Sequence, residues 1–218
     1  MRIATAPRPR RFALTATTAI LTVALGAGPA AAAGTRTGTT WTVTPGGPFT
    51  GHAGTTKLED TTNGDSLNCT SSALAGRFKP GTGLSGTGIG SITGGGKFTD
   101  CAGPFPFPVS ITLRGLPWPI SVTADHSGVV HGTISHIEII AVLPAGCRFT
   151  LDGTAAGALD GAVQFSYSNS AHTLKLLLAG TNLHFYKVSR CAGVVHSGDA
   201  AAYLASYTLS PGQTITSP

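Results

Sequence analysis

Short runs of strand-forming residues recur along this chain, and no long segment combines helical periodicity with good helix formers. In one run, Val163, Phe165 and Tyr167 alternate with polar residues, so their side chains would share one face of a strand. Turn signals such as Asn63-Gly64 separate the runs. Abundant glycine and threonine also disfavour helices. We therefore predict an all-β fold, a β-sandwich (Ig-like or larger), with a partly closed β-barrel as the alternative.

The runs predict twelve strands. They fall near 40–44, 55–59, 67–78, 88–93, 109–114, 120–124, 129–142, 147–152, 162–168, 173–178, 183–189 and 203–209. Two segments interrupt the pattern. One is the glycine-rich stretch 81–96, and the other is Phe105-Pro106-Phe107-Pro108, where proline removes backbone donors. We expect both to be surface loops or to cover a sheet edge.

The first 33 residues have the three parts of a signal peptide. Four arginines form a basic start, an apolar stretch follows at 12–27, and small residues at 30–33 offer cleavage sites before Gly34. The apolar stretch is shorter than the roughly 20 residues that a membrane span needs. The sequence thus predicts a single exported β domain at 34–218, secreted or loosely associated with the cell wall, without a transmembrane segment.

Most of the net charge of +5 belongs to this predicted signal peptide. Four of the 14 basic residues lie there, which leaves 10 basic and 9 acidic residues in the mature chain. A chain so nearly neutral has no basic cluster that could neutralise a phosphate backbone. We expect no nucleic-acid partner.

Four cysteines, an even number in a chain predicted to be exported, indicate two disulfides. The residues are Cys69, Cys101, Cys147 and Cys191, and the count alone leaves three pairings open. No Cys-x-x-Cys spacing occurs, so the pattern is not typical of a zinc site.

A repeated tripeptide favours one of the three pairings. Cys-Ala-Gly occurs at 101–103 and again at 191–193, and each copy follows another cysteine that opens a strand-like run. This echo favours the in-order pairs, Cys69 with Cys101 and Cys147 with Cys191. It also suggests two similar halves, at about 67–108 and 145–210.

The motifs that could carry enzymatic chemistry are incomplete. Gly81-x-Gly83-x-x-Gly86 matches the dinucleotide fingerprint, but the residues after it cannot open the helix that the mechanism requires. Glu59 and Asp60 would point to opposite faces of a strand, and aspartates such as Asp199 occupy turns. No carboxylate pair for glycoside hydrolysis stands out. We expect no bound cofactor.

Seven histidines raise the question of a metal site. His136 and Glu138 are two residues apart, so in a strand both would face one side and could share an ion. His131 would face the other side unless a bulge intervened. Three convergent ligands are not evident, so we expect surface or half-buried histidines and no metal.

Trp118 is the one candidate for a binding platform. Prolines flank it in Gly115-Leu116-Pro117-Trp118-Pro119 and hold its backbone in place. The indole could stack on a sugar, or it could plug one end of the core. We favour the plug, because a sugar site usually presents several exposed aromatic residues with polar partners.

Several segments together resemble uncharacterised secreted β-rich proteins of actinobacteria, the streptomycete type. They are Cys69-Thr70 at a strand start, the glycine-rich stretch, Phe98-Thr99-Asp100-Cys101 and Gly115-Leu116-Pro117-Trp118. A second resemblance is to exported alkane oxidation activator proteins. It rests on the cysteines in strand-rich segments and on the Leu-Pro-Trp sequence. The resemblances imply an exported β-rich protein, and neither implies a site.

Export, disulfides, balanced charge and incomplete motifs favour a non-enzymatic role in binding, adhesion or envelope structure. A glycan, a cell-wall polymer or a hydrophobic ligand is then the expected partner. The alternative is a secreted hydrolase or a metal-dependent enzyme, which the histidines would serve.

Overall fold

The computed structural model describes residues 39–103, 109–143 and 146–218, and it contains sixteen β-strands. They are β1 (Thr40–Thr44), β2 (Gly47–Ala53), β3 (Thr56–Asp60), β4 (Ser66–Phe78), β5 (Gly81–Ser85), β6 (Gly90–Ala102), β7 (Ser110–Arg114), β8 (Trp118–His126), β9 (Val129–Val142), β10 (Arg148–Asp152), β11 (Gly161–Ser168), β12 (Thr173–Leu176), β13 (His184–Ser189), β14 (Ala201–Leu204), β15 (Ser206–Ser210) and β16 (Thr214–Thr216). The predicted all-β class is confirmed. The predicted signal peptide and Phe105-Pro106-Phe107-Pro108 lie outside the described residues. Within the described ranges, no helix has the length and apolar character of a membrane span.

Eight strands pair antiparallel in the order β2-β4-β6-β8-β9-β11-β12-β15, and β15 pairs with β2 to close a ring. The long strand β9 pairs along its first half with β8 and β11 and along its second half with β7 and β10. A separate sheet has the order β16-β1-β5. Large sheets around a common core are consistent with the predicted β-sandwich.

The core forms because side chains alternate along the strands, as the sequence predicts. Val163, Phe165 and Tyr167 on β11 are all buried, and Leu174 and Leu176 on β12 pack in the same cluster. Each buried aliphatic or aromatic side chain of this kind contributes about 1.5–3 kcal/mol relative to an exposed position. The alternation therefore determines which face of each strand packs inward.

A bulge at His136 changes the inward face of β9. Ser135 and Ile137 lie opposite adjacent residues of β11, so His136 is an extra residue, and its φ of 62° is left-handed. Before the bulge the buried residues include Ile134, and after it they include Ile137 and Ile139. The bulge lets one long strand serve two parts of the core.

The structure corrects several details of the strand prediction. Strand β2 was missed, because Gly-Pro-Phe-Thr-Gly-His-Ala has the composition of a turn. The glycine-rich stretch is more than a loop, since β5 lies within it and pairs with β1, and β6 begins at Gly90. The predicted strand at 203–209 is two strands, β14 and β15, separated at Ala205.

Some of the glycines are explained by close packing between strands. Gly132 on β9 lies between β8 and β11. A Cβ at this position would collide with the Ser121 carbonyl and with the Phe165 ring. Glycine here allows the backbone and an aromatic ring to approach closely, so the abundance of glycine is compatible with a dense β core.

Both disulfides join neighbouring antiparallel strands, and the in-order pairing is confirmed. Cys69 on β4 and Cys101 on β6 are directly opposite and bonded. Cys147 precedes β10 and Cys191 follows β13, and these strands pair. The described residues contain no free cysteine. The two similar halves proposed from the echo stay a prediction.

Candidate functional site

Trp118 is in the core and is only 2% exposed. It begins β8, and its indole Nε1 donates a hydrogen bond to the Arg114 carbonyl oxygen at 2.7 Å. A sugar ring needs an accessible aromatic face on which to stack. The binding-platform interpretation of Trp118 therefore does not fit the structure, whereas the core plug does.

The histidine and glutamate of the metal hypothesis lie on the outside of β9. His136 is exposed at the bulge, and Glu138 is half-buried opposite Arg114 of β7. Because of the bulge, His131 lies on the same outer face as Glu138, and it is half-buried between the inward-facing Val130 and Gly132. Within the described ranges, no three His, Cys, Asp or Glu side chains are placed to hold a metal ion.

A groove of about 470 Å³ lies where β12 ends beside the junction of β14 and β15. We call it the leucine groove, and its lining residues are Thr55, Lys57, Lys175, Leu176, Leu177, Leu178, Leu204, Ala205 and Ser206. Its volume lies within the range of about 300–1,000 Å³ that is usual for small-molecule sites. Four of its nine lining residues are leucines, so it is a candidate for binding an apolar group.

The leucine groove forms because the chain leaves the β12–β15 ladder after Leu176. The amide of Leu176 donates to the Ala205 carbonyl at 2.9 Å, and the amide of Leu177 donates to the Gln164 carbonyl of β11 at 2.8 Å, which is the last bond in register with the β11–β12 ladder. Leu178 then lies outside any strand with 52% of its surface exposed. The strand predicted near 173–178 therefore ends two residues early, at Leu176, and the prediction is wrong for Leu178.

Two lysines flank the leucine groove on opposite sides of one chain segment. Lys57 on β3 is opposite Leu204 on β14, and Lys175 on β12 is opposite Ser206 on β15. Ala205, between Leu204 and Ser206, is buried, whereas its two neighbours are more accessible. The two ammonium groups therefore belong to the outer face, with the side chain of Leu204 beside them.

The lysines differ in their charge environment. The Lys57 ammonium lies 3.1 Å from a Glu59 carboxylate oxygen. Lys175 is exposed and makes no ion pair with any described residue. A partly exposed ion pair near the surface contributes about 1 kcal/mol or less, so Glu59 does not hold Lys57 firmly. The groove thus has a positive rim beside apolar side chains.

An acidic pair is located at the end of β3, away from the groove lining. Asp60 is 1% exposed, and its Oδ1 accepts hydrogen bonds from the amides of Thr62 at 2.9 Å and Asn63 at 3.3 Å. Its Oδ2 has no partner by ordinary hydrogen-bond geometry. Asp199 approaches it and accepts from the His196 amide at 2.9 Å.

The two carboxyl groups have opposite pKa shifts. Burial raises the pKa of Asp60 above its ordinary value of 3.8, and the neighbouring Asp199 raises it further. Burial acts against ionisation of Asp199, but hydrogen bonds from the His196 amide, Asp60 and the His196 side chain hold its pKa below 3.8. A protonated Asp60 donating to an ionised Asp199 explains both directions.

A chain of buried hydroxyl groups crosses the core near the same strands. The Ser72 hydroxyl donates to the Tyr207 oxygen at 2.9 Å, Thr56 and Ser72 are hydrogen-bonded at 2.5 Å, and Tyr203 bonds to Tyr207. Burial raises the pKa of Tyr203 well above its ordinary value of 10.0, and burial also raises the pKa of Tyr207. The four hydroxyls satisfy one another, which is the requirement for polar groups in a core.

Comparisons of the chain with protein-family models, with curated proteins and with solved structures give no match. The resemblance to secreted actinobacterial proteins therefore stays a hypothesis. The geometry of the leucine groove and of the acidic pair is what the chain offers for an inference about function.

Proposed function

We propose that this chain is a secreted, non-enzymatic β-sandwich protein that binds a hydrophobic ligand in the leucine groove. The observation that carries the proposal is Leu178, 52% exposed, beside three further leucines in a groove of about 470 Å³. Covering its exposed half on binding would contribute about half of the 1.5–3 kcal/mol that burial of a whole leucine gives.

Two other features support an extracellular binding role. Disulfides form and persist mainly in oxidising compartments, and both pairs of this chain are bonded. The leucine groove is built on the ends of strands that are anchored in the core, so its backbone is held in place before a ligand arrives. Preorganisation of this kind lowers the entropy cost of binding.

The alternative of a secreted hydrolase is favoured by one observation, the pair of Asp60 and Asp199. Carboxyl groups whose environments drive their pKa values apart are a common acid–base arrangement. However, Asp60 is 1% exposed beneath its own turn, and a general acid must reach the atom that it protonates. The pair is better explained as a structural contact, so binding is the stronger proposal.

Titration of the purified chain with N-phenyl-1-naphthylamine, a neutral apolar dye, tests the proposal. We expect saturable fluorescence enhancement and about tenfold weaker binding by Leu178→Ser, since the lost apolar contact is of order 1.5 kcal/mol. Leu159→Ser is the matched control, because Leu159 is 40% exposed but does not line the groove. Absence of saturable binding, or equal losses in both variants, would contradict the proposal.

A further inference from the structure

We propose that the ligand of the leucine groove is an anionic amphiphile, a single alkyl chain that ends in a carboxylate. The inference rests on the proposed function, since it names the class of hydrophobic ligand. It adds that the polar end carries a negative charge and is held by Lys57 and Lys175.

The first argument is the placement of the two lysines. Lys57 is opposite Leu204 and Lys175 is opposite Ser206, so the two positions flank the same three-residue segment from either side. A carboxylate at this segment would have an ammonium group on each side and the Ser206 side chain, which is exposed, close by. Two cations and a hydroxyl are suitable partners for one small anion.

The second argument is the balance of charge at the rim. The groove lining contains two lysines and no acidic residue. Glu59 contacts Lys57 but is not part of the lining, and Lys175 makes no ion pair with a described residue. A neutral ligand would leave the charge of Lys175 uncompensated, whereas an anionic head group would complement it.

The third argument is the separation of polar and apolar parts. Lys175 lies on β12, and the chain continues through Leu176 and Leu177 to the exposed Leu178 beyond the end of the strand. A head group near Lys175 would therefore allow its tail to run along the leucines. Lysine ammonium groups are also mobile point charges on apolar stems, so they can follow a head group while their stems cover the tail.

Calorimetric titration with three ligands of equal chain length, kept below their micelle concentrations, tests the inference. The ligands are decanoate, 1-decanol and decyltrimethylammonium. We expect decanoate to bind most tightly and the cation most weakly. Raising the salt concentration should weaken the binding of decanoate and leave the binding of decanol nearly unchanged, because mobile ions screen exposed charges over about 8–10 Å.

Charge-removing variants locate the head group. Lys175→Gln and Lys57→Gln should each weaken the binding of decanoate and leave the binding of decanol unchanged. We expect a two- to fivefold loss of affinity, about the range measured for exposed charge pairs. Lys97→Gln is the control, because Lys97 is exposed on β6 and does not line the groove.

The outcomes separate this inference from the proposed function. Equal affinities for decanoate and decanol, or a preference for the cation, would overturn the anionic head group while binding in the groove stands. Failure of all three ligands together with the neutral dye would overturn both. Equal losses in Lys97→Gln and Lys175→Gln would also overturn the assignment of the head-group site.

Discussion

The buried carboxyl group of Asp60 lies beside the carboxyl group of Asp199, and the two have pKa values shifted in opposite directions. Asp60 ends β3, and Asp199 precedes β14, the strand that pairs with β3. A proton on Asp60 that is shared with Asp199 would connect two turns at one end of a strand pair. It would also give the buried Oδ2 of Asp60 a partner. This oxygen lacks one only when the carboxyl group is taken as ionised, because an ionised carboxylate cannot donate.

Asp60→Asn should remove a pH dependence of stability. The raised pKa of Asp60 means that the folded state keeps this proton to higher pH than the unfolded state. Its contribution is present below the ordinary value of 3.8 and is lost as pH rises through the raised value. Asparagine keeps a donor toward Asp199 and cannot lose a proton, so the variant should gain stability relative to wild type across that window.

Urea unfolding between about pH 3.5 and pH 7 measures this difference. Asp65→Asn serves as the control, because it removes another carboxyl group from the same turn region. The control should follow the wild-type curve. If Asp60→Asn followed it as well, the two carboxyl groups would not share a proton.

Tyr207→Phe should destabilise the protein more than Tyr203→Phe does. The Tyr207 hydroxyl lies between Ser72 and Tyr203, so its removal leaves two buried groups without this partner, at about 1–3 kcal/mol each. Removing the Tyr203 hydroxyl leaves Tyr207 bonded to Ser72 and should cost about 1 kcal/mol. Denaturant unfolding measures the stability of both variants, provided that the dependence of the unfolding free energy on denaturant concentration is unchanged. Equal losses of stability in the two variants would show that the hydroxyls do not act as a chain.

Loss of either disulfide should cost a similar free energy of unfolding. The closed loops span 32 and 44 residues, and loop entropy predicts about 4 kcal/mol for each, with a difference below about 0.5 kcal/mol. The double variants Cys69→Ala with Cys101→Ala and Cys147→Ala with Cys191→Ala measure this by denaturant unfolding. A reductant should destabilise the wild type and have no effect when all four cysteines are replaced; an insensitive wild type would argue against the bonds.

Trp118→Phe should cost about 1–2 kcal/mol, because the hydrogen bond to the Arg114 carbonyl is lost while most of the apolar volume remains. Trp118→Ala should cost about 3–5 kcal/mol by leaving a cavity. Both tryptophans of the chain are 2% exposed, so iodide should quench the native fluorescence far less than that of the unfolded chain. Strong quenching in the native state would restore the platform interpretation.

Period-two alternation predicted the strands well wherever both the pattern and its flanking turns were clear, and the prediction of β9 had the same bounds as the strand in the structure. It failed where tertiary contacts decide the backbone. Strand β2 is held by β4 and β15 although glycine and proline give it the composition of a turn. The bulge at His136 could be considered from the sequence but could not be located there.

The candidate site was largely beyond sequence analysis. Leu178 continues a regular alternation, and only the structure shows that β12 ends at Leu176 and leaves Leu178 exposed. Lys57 and Lys175 are 118 residues apart in sequence and line one groove only because β14 and β15 are consecutive. Asp199 was correctly placed in a turn, but its partner Asp60 is 139 residues away.

Strand β13 ends the main sheet, and it limits how copies of the chain could aggregate. The eight strands of the ring each have neighbours on both sides, so they present few unpaired backbone groups to another molecule. On β13, Lys187 has a left-handed φ of 50° and lies where the register with β10 shifts. A bulge and an exposed charge at an edge are known obstacles to strand addition, so β13 is protected from edge-to-edge polymerisation.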